Sequence, residues 1–172
     1  VAAAPQKDDE LHIVSDLVQT GDMVVLVVPI DSAAPKGRLI MPQQQTIRDL
    51  LDHHAVPIVT PVEELAGVLS ALADKVKLVI TDSQAFKEVN QIVPADIPLT
   101  SFSILFARHK GNLQQLMEGV RMVEQLRDGD KVLIAEGCTH RRQCDDIGTV
   151  KIPNWLRTHT GCKLDIETCS GR

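Results

Sequence analysis

Residues 23–30 read MVVLVVPI, an apolar run without a polar break. A strand with one wet face alternates apolar and polar residues. A uniform run of this length instead fits a strand buried on both faces, as in a parallel sheet with helices above and below. Pro29 has no amide to donate to a ladder and belongs at the strand's end. The preceding Gly21-Asp22 is a turn. Helices to cover such a strand follow directly. Gln43 to His54 reads as a helix with Ile47, Leu50 and Leu51 on one face, and with His53 and His54 in the last turn, where they offset the helix dipole. Val56–Thr60 is the next strand. Thr60 reads as the N-cap and Pro61 as the first residue of a helix reaching Ala73, packed through Val62, Leu65, Leu69 and Leu72. Lys77–Thr81 is a third strand, Asp82 or Ser83 caps a helix to about Ile92, and Pro98–Phe102 is a fourth strand. Alternation with short connections implies right-handed crossovers and a mainly parallel sheet.

A second unit follows. Ser103 to Leu126 is mostly helical, with a break near Gly111, and Leu113, Leu116, Met117, Val120, Val123 and Leu126 keep helical spacing. Asp128-Gly129-Asp130 then leads into the strand Lys131–Glu136, as Gly21-Asp22 leads into the first strand. We read this echo as one turn chemistry used twice, not as a duplication. Pro153 opens a short helix, and Lys163–Thr168 alternates as a strand with one wet face. The expected fold class is α/β: two small units with mainly parallel sheets flanked by helices. The expected boundaries are a linker at 1–10, a first domain at 11–102 and a second at 103–172.

With three Phe, one Trp and no Tyr, the cores must be built from Val, Leu, Ile and Ala. A net charge of −5 gives no electrostatic reason to expect nucleic acid. The apolar runs are far shorter than a membrane span. The opening VAAAPQKDDE lacks the charged and apolar regions of a signal peptide. The expected location is the cytoplasm, where thiols stay reduced. The four cysteines are then metal ligands or core residues before they are disulfides.

Chemistry concentrates in KVLIAEGCTHRRQCDDIG, residues 131–148, where Cys138, His140, Cys144, Asp145 and Asp146 follow the end of a strand. In open α/β sheets that edge is where ligands bind. Thiolates favour zinc, copper(I) or iron–sulfur clusters, and imidazole suits zinc or iron. The spacing is not the C-x2–4-C of structural zinc sites, nor is there a C-x2-C pair. The plain alternative is two small buried cysteines and a hydrogen-bonded loop histidine. Cys169 also follows a strand and is a further ligand candidate on the same edge. Cys162 reads as structural. Asp145 and Asp146 offer an oxygen ligand or a base, the plain alternative being a pair that caps a helix or faces water. A zinc enzyme holding its metal with Cys138, His140 and one further ligand, Asp145 serving as base, is therefore a second reading. Lys36-Gly37-Arg38 follows a strand as a phosphate loop would, but lacks GxxxxGK[ST]. No nucleophile elbow or HExxH is present.

The same loop carries a resemblance. CTHRRQCDDIGTVKIPNW, together with VVLVVPIDSAAPKGRLIMPQQQTIRDLLD and TSFSILFARHKG, resembles the FeFe-hydrogenase maturation GTPases over nearly the whole chain. That resemblance implies a scaffold or carrier for the diiron precursor of the hydrogenase active site, the H-cluster. It also implies an N-terminal GTPase domain, a middle dimerisation domain and a C-terminal domain binding a 4Fe–4S cluster. Implied partners are a second copy of the chain, two radical-SAM maturases and the apo-FeFe-hydrogenase. Cys138 matches the first cysteine of the family's C-x-H…H-C-x-x-C signature and His140 its histidine. Cys144 and Cys169 match no ligand position of the family. The P-loop that would bind GTP is not among these residues, nor is the HCxxC. The chain is thus expected to be a fragment: the dimerisation domain and the first part of the cluster domain, with no enzyme activity of its own.

Overall fold

A computed structural model describes residues 12–30, 39–137 and 146–170. It divides into two compact units, the first running to Leu113 and the second from Gln114.

The first unit is built on a four-stranded sheet of order β2-β1-β3-β4, with β1 at Met23–Val27, β2 at Val56–Thr60, β3 at Val76–Thr81 and β4 at Leu99–Ser101. Every pairing is parallel. β1 is central and buried from Val24 to Val27, as its uniform apolar run requires. It ends two residues before Pro29. Side chains alternate across the sheet. Val24, Leu26, Leu78 and Ile80 face one way, and join Leu50 of helix α1 (Met41–Asp52) and Phe102 and Leu105 of helix α4 (Phe102–Lys110). Val25, Val27 and Val79 face the other way, onto Leu65 and Leu69 of helix α2 (Leu65–Leu72) and Val89 of helix α3 (Phe86–Ile92). The chain first steps from β1 to β2 and then crosses back over β1 to β3. Crossovers of one hand therefore place α1 on one face and α2 and α3 on the other.

Helix α4 runs across the boundary expected between residues 102 and 103, and Leu105, beyond it, is part of the first unit's core together with Phe102. Ser101 caps it, its Oγ accepting from the Ile104 amide at 3.3 Å. Thr60 does not cap α2. It stays in the ladder, paired with Val27, and its hydroxyl donates to the Pro61 carbonyl. Pro61 is extended, a short 3-10 turn covers Val62–Glu64, and α2 starts only at Leu65. The strand ladder outcompetes the local cap preference here.

The segment 12–18 is fastened from two sides. Asp49 of α1 receives the amides of Ile13, Val14 and Ser15 on Oδ2 at 3.2, 2.8 and 2.9 Å, and the Ser15 hydroxyl on Oδ1 at 3.0 Å. Arg108 of α4 donates to both carboxylate oxygens of Asp16 and to the Ile13 carbonyl. The hydrogen bond from Arg108 holds the Asp16 carboxyl below the usual aspartate range, outweighing its partial burial. A depressed folded-state pKa stabilises the fold above the unfolded value and loses that contribution as pH falls through the folded one. Asp16→Asn is therefore expected to cost up to about 1 kcal/mol at neutral pH, the ion pair being partly solvated. The cost should vanish in denaturation curves taken well below pH 4.

The second unit holds helix α5 (Leu113–Arg121, its first residue at the boundary), strand β5 (Lys131–Glu136), helix α6 (Ile152–Thr160) and strand β6 (Asp165–Ser170). β5 and β6 pair in parallel from Lys131↔Asp165 to Glu136↔Ser170. α6 ends at Gly161, whose left-handed φ of +68° suits a glycine C-cap. The two Gly-Asp turns are built alike. Gly21 and Gly129 have φ of +86° and +87°. Asp22 accepts the Gln19 amide and Asp130 the Arg127 amide, both at 2.8 Å. Each turn then joins the approach to its partner strand: Asp22 accepts from Val56, and Asp130 from Asp165. The same tetrapeptide geometry thus starts a parallel pair in each unit.

Candidate functional site

These elements lay out two candidate sites: the strand edge next to the Cys/His sequence, and the surfaces left uncovered.

The chemical edge is the carboxyl end of β5 and β6. Cys138, His140, Cys144 and Asp145 lie outside the described residues, as do Lys36, Gly37 and Arg38. Their loop leaves from Gly137 and returns at Asp146. Parallel pairing sets Cys169 opposite Ala135, three residues before Cys138, and Cys169 is exposed as a free thiol. Cys162 sits away from this edge, its thiol donating to the Leu126 carbonyl at 3.3 Å. Asp146 pins the loop's return, accepting from both the amide and the hydroxyl of Thr149 at 2.8 Å. One further carboxylate belongs here that motif reading passes over: Glu136, the last residue of β5. Its side chain lies against Gly148, where a Cβ would fall 2.6 Å from Oε1 and 2.9 Å from Cγ. The signal in the sequence was only its position, the final strand residue before the Cys/His loop.

Glycine at 148 is thus what lets Glu136 lie across the base of the loop. Gly148→Ala is expected to cost about 1–2 kcal/mol by overpacking. In a Glu136→Ala background the same change should cost almost nothing, which a double-mutant cycle in urea reads directly. Equal costs in both backgrounds would remove this contact from the account.

The association surfaces follow from what is left uncovered. In the first unit the sheet ends in β2 and β4. β4 is three residues long, while β2 has five and shows Val56 and Val59 to solvent, Val59 being 47% exposed. An unpaired edge bearing apolar side chains is a template for another strand. The second unit is more open still. Among its described residues only Gly148, Pro153 and Leu164 are buried. On α5, Leu113, Leu116, Met117 and Val120 form an apolar stripe at helical spacing, yet α5 buries no residue, and Val120 is 69% exposed. Leu133, Ile147 and Trp155 are exposed as well. A two-stranded sheet with so little interior is not stable on its own, and apolar surface on this scale marks an interface.

An α/β chain with an open sheet edge on one unit and an uncovered apolar surface on the other is a self-associating module. The comparison with protein families agrees: residues 13–111 match the hydrogen maturase F dimerization domain, and residues 114–172 match the hydrogen maturase F tetramerization domain. The chain belongs to the hydrogen maturase F family, and its part in hydrogenase maturation is carried by two assembly domains. A search of the curated proteins found no match. Among the described residues no helix is long and apolar enough to cross a membrane.

Proposed function

We propose that this chain is the oligomeric platform of a cytoplasmic scaffold that carries the diiron precursor of the H-cluster, receives it from radical-SAM maturases and hands it to the apo-FeFe-hydrogenase. The observation that carries this reading is how few of the second unit's described residues are buried, in a chain of the hydrogen maturase F family. A platform is what such surfaces make. Two copies join through their β2 edges, and the pairs join through the α5 stripe.

The platform's cargo chemistry belongs to the β5–β6 edge. Cys138 and His140 are the residues that would hold a 4Fe–4S cluster, with Cys169, Cys144 and Asp145 as lesser donors. These groups fit the cluster in kind, since iron–sulfur clusters take thiolates and sometimes imidazole. When bound, the cluster supplies an iron site to which a precursor attaches. The protein's own part is to fix the loop at its two ends, through the β5 ladder and through Asp146. Anaerobic reconstitution with iron and sulfide, read by EPR after reduction, tests this. In a chain that also carries the HCxxC the expected result is a reduced-cluster signal that Cys138→Ser abolishes, whereas these residues, with one of the family's three cysteines, are expected to hold a cluster poorly on their own. A signal unchanged by Cys138→Ser, or one zinc per chain that iron does not displace but that Cys138→Ser removes, would contradict it.

A further inference from the structure

Away from the Cys/His loop, the first unit brings His12, Asp49 and His53 together, with one ligating atom of each within 4.8 Å of the others. All three are half-buried. We propose that they form a binding site for a divalent first-row metal ion, with two imidazoles, one carboxylate and water as its ligands.

Hydrogen bonding fixes which ring nitrogen of each histidine keeps its lone pair. The Nδ1 of His53 lies 2.9 Å from the Asp49 carbonyl oxygen. A carbonyl can only accept, so Nδ1 carries the proton and Nε2 keeps its lone pair. The Nδ1 of His12 lies 2.9 Å from the Ser15 hydroxyl, and that hydroxyl already donates to Asp49 Oδ1. His12 Nδ1 must therefore donate as well, leaving its Nε2 free. Metal-binding histidines show this pattern: one ring N–H is held by a protein acceptor while the other nitrogen ligates. Oδ2 of Asp49 is saturated by three backbone amides, so Oδ1 is the oxygen available to an ion. The two rings stand edge to face, 5.2 Å between centroids at 76°. One ring nitrogen of each histidine and one Asp49 oxygen lie within 4.8 Å of one another, and His53 Nδ1 is 3.8 Å from Asp49 Oδ1, so side-chain rotation is needed to close the set around an ion. The partial exposure of all three residues leaves room for water to complete the shell. Two imidazoles with one carboxylate suit zinc and iron(II) alike.

The ion would sit where the leading segment meets the end of α1, tying His12 to His53 across the cradle that Asp49 already makes. The site uses no thiol, and this separates it experimentally from the Cys138 loop. Cobalt(II) titration of the full chain should give ligand-field bands without thiolate-to-metal charge transfer, and zinc should displace them at one ion per chain. His12→Gln with His53→Gln, checked for native fold by circular dichroism, should lose those bands. Cys138→Ser with His140→Ala should keep them. Ser15→Ala, which frees the His12 ring, should weaken binding about 10–100-fold. Bands that persist at full affinity in the double glutamine variant would overturn the proposal. So would a wild-type spectrum holding only thiolate charge transfer.

Discussion

Asp49→Ala is expected to lower the unfolding free energy of the first unit by about 3 kcal/mol, more than any other change to a single polar side chain described above. The carboxylate caps three consecutive amides and one hydroxyl from a segment 34–36 residues away in sequence. Ile13, Val14 and Ser15 are all buried, so water does not replace the lost acceptor. Each unsatisfied buried N–H costs about 1–3 kcal/mol, and charged acceptors sit at the strong end. Asp49→Asn keeps one oxygen but loses the charge, and should cost about half as much. Urea denaturation followed by far-UV circular dichroism reads both. Equal, small losses would show that the leading segment contributes little to the fold and that Asp49 is not its anchor.

A charge on the α5 stripe is expected to act on assembly instead of folding. Met117→Glu with Val120→Glu places two carboxylates on a surface that the second unit cannot bury by itself. If a second copy covers that surface, each carboxylate must be desolvated without a partner, and the interface weakens by at least about 3 kcal/mol, more than 100-fold in dissociation constant. The variant should sediment at half the mass of the wild type, still paired through the first unit. Val59→Pro acts on the other surface. It removes an edge amide, and the ring resists pairing. A stripe whose charging leaves the mass unchanged is not an interface.

Much of the first unit was legible because its determinants are local. The unbroken run at Val24–Val27 dictates burial on both faces, and the alternation of strand and helix then leaves few topologies. The strand Val56–Thr60 and the break near Gly111 are where the pattern puts them. Thr60 shows the limit. Its side chain is a good cap in isolation, but pairing with Val27 keeps it in the strand. Asp49 and Asp16 were not legible at all. Their partners lie more than thirty and ninety residues away, respectively, and no window of sequence carries such contacts. Periodicity at Leu113–Val120 marked a face that must be covered, but it could not say that the cover comes from outside the unit. Of the chemical edge, the sequence supplied the concentration of Cys138, His140 and Cys144. The sequence also put Cys169 on that edge, just past a strand; the pairing places it within β6, opposite Ala135, and packing adds Glu136 against Gly148.

Light scattering coupled to size exclusion reads assembly through two separate surfaces. The wild type is expected to be a tetramer, Met117→Glu with Val120→Glu a dimer, and the same variant with Val59→Pro a monomer. A wild-type chain that is folded and monomeric at tens of micromolar would contradict this.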